Sequence, residues 1–512
     1  MGIPFYFHSI TRQHAGILRN DIPKCDLFYL DFNGGVHQSY RGALNEDEIL
    51  ERTWAYFEKL NKFVKPQQAV HICLDGVAPR AKMIQQRKRR YLSMLYAKLE
   101  GRVIEWDSNA ISPGTPFMIR LNAYLKMKAL DASKTLPTYV SSADQPGEGE
   151  HKIIQHLKSV PEGKSVVIYG MDADLIMLSL MTQRKQIYLL REYQPPKGRE
   201  RNPLDPDYVI LDVDALREGI LRLLKSRGDP EKETQAIESY CMMCFLLGND
   251  FLPNVACLSF HNGDLERLVN LLREYLQQMR PLVHTDSVSL HVENMCQFLT
   301  DLAKEEDVGM TEMNKKYLMQ RVHPSTEVEK VDLYPLLQEN KHPLAQELYQ
   351  LSSMAGWRSI YYKHLFHTRL HDTHVVRHAC REFLVGMEWT YRYYKQINRF
   401  RHWYYPYSYA PTLRDLANAL MGDGGQLHRK AMDGLKEVEF DHPHVQLLAI
   451  LPFASVNLLP IKIKEVMYRM ELGCSHMYPK VYPVMTYLKR HLWECSPILP
   501  KMEFELLEKA VQ

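Results

Sequence analysis

Long hydrophobic runs, a surplus of one charge and paired cysteines are all scarce in this chain of 512 residues. Its most apolar long stretch, VQLLAILPFASVNLLPI (445–461), is broken by Pro452 and Pro460 and carries Gln446 and Asn457, which excludes a membrane-spanning helix there. The start, MGIPFYFHSI, has no basic n-region and no long apolar core, so no secretory signal is expected. The nine cysteines are odd in number and scattered, which favours reduced thiols and an intracellular protein. Cys241 and Cys244 form a CxxC without a second pair nearby, and two thiols on a buried helix is a plainer reading than zinc or redox chemistry. Net charge is only +3, so contact with nucleic acid needs a local basic patch rather than a basic protein. No internal repeat or low-complexity tract stands out.

What is present is enough apolar material, 45% of residues, for a large core and more than one domain. In the first half, short apolar runs alternate with helical patterns. DLFYLD (26–31), AVHICLD (69–75) and SVVIYGMD (165–172) read as strands ending in Asp31, Asp75 and Asp172. DEILERTWAYFEKLNKF (47–63) and TPFMIRLNAYLKMKAL (115–130) read as helices between them. This alternation predicts an α/β domain with a largely parallel sheet, whose working edge lies beyond the carboxyl ends of its strands. A loop at 194–207 interrupts the pattern, and helices then dominate at 234–248 and 263–279. Residues 301–345 are highly charged and read as exposed; from 350 onward the chain is rich in aromatics and reads as a second, mostly helical region.

The acids recur at those strand ends. Asp172 and Asp174 flank a small residue in GMDADLIML, Asp250 follows an apolar helix in GND, and Glu148 and Glu150 sit between glycines in PGEGE. With Asp31 and Asp75 the set numbers seven. So many carboxylates in one cleft would repel each other, and bound Mg²⁺ or Mn²⁺ is the usual remedy. Two such ions would activate water and stabilise a leaving oxygen in phosphodiester hydrolysis. Each acid singly is equally compatible with turn or capping duty.

A basic patch follows Asp75. From Arg80 to Arg102 there are eight Lys or Arg against one acid, Glu100. On a helix, Lys82, Gln86, Arg89 and Arg90 share one face, suited to gripping a phosphate; a solvated basic face is the plainer alternative. HWYYPYSYAP (402–411) is crowded with aromatics that read either as core or as stacking platforms. His37, after a glycine turn, is ambiguous in the same way.

Taken in order, these segments resemble the XRN family of 5′→3′ exoribonucleases. The resemblance is carried by MGIPFYF (1–7), YLDFNGGVH (29–37), DGVAPRAKMIQQRKRRY (75–91), ISPGTPFM (111–118), PGEGEHKI (146–153), YGMDADLIMLSL (169–180), LLREY (189–193) and LLGNDFLPN (246–254). GWRSIYYKHLF (356–366), WYYPYSYAP (403–411), LPFASVNLLP (451–460) and the segment 477–500 continue it. It implies a PIN/5′-nuclease-like sheet at 1–265, a charged helical connector at 266–345 and a helical second conserved region at 346–512 that closes the active site.

It further implies processive degradation of single-stranded RNA carrying a 5′-monophosphate. Asp31, Asp75, Glu148, Glu150, Asp172, Asp174 and Asp250 would hold the metals, and Lys82, Gln86, Arg89 and Arg90 the 5′-phosphate. His37 and Trp403 would bracket the stacked bases. Decapping or RNA-decay factors would be partners, without membrane, nicotinamide or nucleotide cofactor, in the cytoplasm by preference with the nucleus left open. The chain departs from the family at Gly35 (Ile there), Asn254 (His) and Arg401 (Trp). It is expected to be a compact member, since it stops soon after the last shared segment. Two rivals stand beside this reading: a flap-type structure-specific 5′ nuclease, and a catalytically weak protein that binds RNA 5′ ends.

Overall fold

The computed structural model describes residues 5–512 apart from 104, 196–201, 203–205, 351–355, 371, 423–424 and 469–473. Most of the 194–207 loop and the first four residues of MGIPFYF therefore lie outside the described residues. Seven strands form one sheet: β1 (Leu18–Arg19), β2 (Leu27–Asp31), β3 (Ala69–Cys73), β4 (Thr138–Ser141), β5 (Val166–Tyr169), β6 (Ile187–Glu192) and β7 (Tyr208–Asp212). Their spatial order is β1-β7-β6-β5-β2-β3-β4. β4, β3, β2, β5 and β6 run parallel, while β7 and β1 complete one edge antiparallel. The expected largely parallel sheet is present.

The order turns at β2. One following strand, β3, lies on one side of it and β5 on the other, so the crevice between β2 and β5 is the switch point at which ligands of such sheets bind. Register places Asp31 opposite Cys73, with Asp75 two residues beyond β3, and Leu30 opposite Tyr169, with Asp172 three residues beyond β5. The three aspartates read from strand ends thus emerge along one edge.

Alternation along the strands feeds two cores. Leu27, Tyr29, Val166 and Ile168 face one layer; Phe28, Leu30, Val167 and Tyr169 face the other. The second layer is closed by helices Glu46–Val64 and Pro116–Ala132, started by the side-chain caps of Asn45 and Thr115. The first layer continues without a break into the second half of the chain, through helix Thr373–Tyr394, in which every residue from Phe383 to Tyr391 is buried. A helix buried all round sits at the centre of a core, not on its surface. Residues 306–319 are also tied in, since Glu306 is buried and accepts from the backbone N–H of Leu413 at 2.6 Å. All nine cysteines are free, and Cys241 and Cys244 are fully buried on one helix. Among the described residues no helix is long and apolar enough to cross a membrane.

Candidate active site

Two loops build the acidic edge by lying against each other. The loop after β3 and the PGEGE turn exchange backbone hydrogen bonds, Gly76 N–H to Gly147 O at 2.9 Å and Gly147 N–H to Val77 O at 2.8 Å. Only glycine permits this: a Cβ on Gly76 would stand 1.7 Å from Gln145 O, and Gly147 has φ +97°. The helix Gly149–Leu157 then begins with its first N–H, that of Gly149, donating to Asp75 Oδ1 at 2.7 Å, a carboxylate at a helix N-terminus. Asn33 Nδ2 donates to the other oxygen of Asp75 at 2.9 Å. A Cβ on Gly149 would lie 2.5 Å from Asp31 Oδ1, so the glycine lets Asp31 approach. Arg191, in LLREY, holds the turn after β5 by donating to Asp172 O at 3.2 Å and to Met171 O.

Burial and mutual repulsion mark the cluster. Burial pushes the carboxyl of Asp31 well up from the ordinary range, and Asp75 and Asp172 push it further. Asp75 is raised by burial and by Glu148. Burial raises Glu150 strongly, with Asp174 and Glu148 adding to it. Asp174 is pushed up to about 7 by burial and by Asp250. These cross-effects tie the strand-end acids to Glu148, Glu150, Asp174 and Asp250 in one electrostatic neighbourhood.

Lys82 answers part of that charge from inside the cluster. Its ammonium lies 2.5 Å from Glu148 Oε2 and 2.9 Å from Asp250 Oδ2. Burial alone would lower its pKa, but Asp250 and Glu148 raise it well above the usual lysine value. Grouped with Gln86, Arg89 and Arg90 by helical spacing, Lys82 is thus drawn toward the acids. Glu150 Oε2 is buried with no hydrogen-bond partner. An all-oxygen donor set with one orphaned oxygen and raised carboxyls fits a hard divalent cation.

Two groups were not foreseen from the sequence. Tyr393 donates to Glu148 Oε1 at 2.5 Å and Tyr394 to Asp174 Oδ1 at 2.7 Å, both from the end of the buried helix Thr373–Tyr394. Adjacent tyrosines inside an aromatic-rich helix carry no spacing signal that separates ligand-orienting phenols from core. The helical region therefore completes the acidic edge.

The basic helix, Arg80–Leu99, runs beside it. Arg89 is exposed, and Arg90 donates to Ser112 Oγ at 2.7 Å and to Asn109 O at 3.4 Å. Gln86 is buried, its Oε1 without a partner. Burial and the charge of Arg89 push Arg90 down to about 9, an environment that an anion would relieve. His37 is pushed down to about 4 by burial and then by Arg89 and Arg90, which places it at this face. Trp403 is placed elsewhere. It is buried in the aromatic core, 5.1 Å from Trp389 and against Gly386, with Nε1 donating to Glu382 at 3.1 Å. Arg401 lies over Phe440 at 4.1 Å and donates to Val438 O at 2.8 Å.

Among the described residues, a tight His–carboxylate grouping occurs at His402, Asp441 and Glu508. Arg80 pairs with both carboxylates there, so this is an ion-pair network at the far side of the basic helix.

Comparison with known proteins matches residues 1–193 to the model described as "XRN 5′-3′ exonuclease N-terminus", and residues 231–342 and 349–512 to "Xrn1 helical domain". The chain is similar to "5′-3′ exoribonuclease 1" of Homo sapiens, 27% identical, with all of this chain and 34% of that protein covered. It is also similar to "5′-3′ exoribonuclease 2 homolog" of Drosophila melanogaster, 24% identical, with all of this chain and 71% of that one covered. The chain thus spans about a third of the human relative's length. A solved structure, the catalytic core of Rad2 in complex with DNA substrate, superposes with a TM-score of 0.31 at 13% identity, over 81% of this chain and 98% of that one, and carries no weight at that score.

Proposed function

The chain belongs to the XRN family of 5′-3′ exonucleases, and from that premise we propose that it is a processive 5′→3′ exoribonuclease acting on single-stranded RNA with a 5′-monophosphate. The products are nucleoside 5′-monophosphates. The observation that carries this reading is the meeting of seven acids with the basic helix through one residue, Lys82, which touches two of those acids.

Asp31, Asp75, Glu148, Glu150, Asp172, Asp174 and Asp250 would hold two divalent ions, Mg²⁺ or Mn²⁺, which supply an activated water and charge neutralisation to phosphodiester hydrolysis. The rest is the work of the chain's own groups. Gln86, Arg89 and Arg90 grip the terminal phosphate, with the crowded Arg90 cation supporting that role. A hydroxyl end has no charge to offer there. His37, held neutral, offers a ring to the first base. Stacking on Trp403 would require its ring to turn out of the aromatic core. Tyr393 and Tyr394 orient Glu148 and Asp174. We place the nuclease unit at 1–265, the connector at 266–345 and the closing helical region at 346–512. Nine free thiols support a reducing, intracellular setting, cytoplasmic by preference, and RNA-decay factors such as decapping proteins are the partners this reading expects.

The test uses one 3′-labelled RNA bearing a 5′-monophosphate, triphosphate or hydroxyl, incubated with Mg²⁺, with released mononucleotides measured alongside. Rapid loss of the monophosphate form alone is expected. Asp172→Ala should abolish turnover and keep binding, and Arg89→Ala should erase the 5′-end preference. Oligonucleotide products, or a preference that survives Arg89→Ala, would overturn the proposal.

A further inference from the structure

A cavity of about 460 Å³ opens beside Asp250. One wall is a stripe of the basic helix, Ala81, Ile84, Gln85, Lys88 and Leu92, which lies next round the helix from the phosphate-gripping stripe. Arg89 stands on the border between the two and lines the cavity as well. The facing wall is the tyrosine loop, including Tyr404, Tyr407 and Tyr409, and a third side is the late segment that carries Lys489, Arg490 and Trp493.

The charges here differ from those on the far side of the same helix. There, Arg80 pairs with Asp441 and Glu508, and the buried Arg87 donates to Met477 O. In the cavity, among the described residues, neither Lys88 nor Lys489 forms an ion pair, and the Lys489 ammonium donates to Asn254 Oδ1 at 3.0 Å. Burial pushes Lys88 down to about 8 and also lowers Lys489. Glu494, which lines the cavity with Asp250, offsets part of the burial of Lys489, while only burial acts on Lys88; with the exposed Arg490 alongside, the cationic side of the cavity is costly as it stands and is relieved by an anion.

We propose that this cavity is a second nucleotide site, distinct from the 5′-phosphate grip. Its ligand is a nucleoside 5′-monophosphate, with the phosphate among Lys88, Lys489 and Arg490 and the base against the tyrosine loop and Trp493. The proposal rests on the exoribonuclease reading and deepens it. A nucleotide unit here has two sources, the mononucleotide just released or a following nucleotide of the RNA. The volume admits the first: it lies toward the lower end of the range of small-ligand pockets, about 300–1,000 Å³, with room for one nucleotide. Arg89, shared by both stripes, is placed to pass the phosphate from one to the other.

The test is calorimetric titration of the full chain with adenosine 5′-monophosphate, and with adenosine as the phosphate-free probe. Lys489→Met should weaken adenosine 5′-monophosphate about tenfold, as expected for loss of one charge-assisted contact, and leave adenosine binding unmoved. Arg490→Met, at an exposed position that the fold does not depend on, should weaken it in the same direction. Cleavage of the first nucleotide in a single turnover should be unchanged by Lys489→Met, while repeated turnover becomes less sensitive to inhibition by added adenosine 5′-monophosphate. Unchanged affinity in both variants would overturn the site. Variants that leave adenosine 5′-monophosphate untouched but weaken a ten-nucleotide RNA relative to a dinucleotide would assign the cavity to the RNA strand and overturn the product assignment. Lys489-dependent nucleotide binding in a protein that cleaves no RNA would sink the exoribonuclease reading and leave the nucleotide site standing.

Discussion

Replacing Lys82 by Met should separate the two roles this residue could play. Its side chain is buried, and its ammonium contacts Glu148 at 2.5 Å and Asp250 at 2.9 Å. Removing one partner of a buried pair leaves an uncompensated charge and costs about 3–5 kcal/mol. With an unfolding entropy of roughly 2.1 cal/mol/K per residue, 512 residues correspond to about 1.1 kcal/mol per degree. Metal-free Lys82→Met should therefore unfold about 3–5 °C below wild type. Mg²⁺ at a hundred times its Kd contributes about 2.7 kcal/mol, or roughly 2–3 °C. The variant should gain at least that, and more than wild type, because in wild type a cation already occupies the space between the acids. The assay is differential scanning calorimetry after chelation, with and without Mg²⁺. An unchanged midpoint in the metal-free variant, or an equal Mg²⁺ gain in both proteins, would refute Lys82 as the internal counter-charge and return it to the phosphate grip alone.

Tyr393→Phe and Tyr394→Phe each remove a hydroxyl donor to a carboxylate, worth about 1.5 kcal/mol, so the Mg²⁺ needed for half-maximal RNA cleavage should rise roughly tenfold; an unchanged Mg²⁺ titration would make them ordinary core. Gly149→Ala puts a Cβ 2.5 Å from Asp31 Oδ1 and should cut cleavage roughly 100-fold with circular dichroism intact; full activity would mean that Asp31 need not approach. His37, held near 4, is below its unfolded value of about 6.5, so the unfolded state takes up the proton first. Its contribution to stability is whole above about 6.5 and is lost as pH falls toward 4. Proton NMR should follow its ring titrating near 4 and moving upward in Arg89→Ala, and a ring indifferent to that change would detach His37 from the basic face.

The acids were readable because each follows an apolar run whose end is set by the same rule, that parallel strands finish on one edge. Asp31, Asp75 and Asp172 needed nothing more. Glu148 and Glu150 were visible through their glycines, although the partner glycine, Gly76, was not, because its need is a tertiary approach to Gln145. Helical spacing put Lys82 with Gln86, Arg89 and Arg90, but spacing gives an angle and not a depth, and depth decides which charge a side chain meets. Tyr393 and Tyr394 escaped because a phenol bonding an acid and a phenol packing in a core have the same local sequence. Trp403 was assigned to stacking by resemblance and lies packed on Trp389, a difference that only the placement of the buried helix fixes.

The anchoring of Arg80 has a consequence in time. The residue that opens the basic helix donates its backbone N–H to Arg401 O at 2.8 Å, pairs with Asp441 at 2.9 Å and with Glu508, and lies over Phe504 at 4.3 Å. All four partners are made by the ribosome long after Arg80 itself. At about 5–20 residues per second, the stretch between Arg80 and Glu508 takes tens of seconds to synthesise. From the synthesis of Asp172 until the last of these partners follows, the nascent chain carries the three strand-end acids while the opening of the basic helix lacks these four tethers. The opening turn of that helix is therefore fixed last, when the C-terminal segment docks on it.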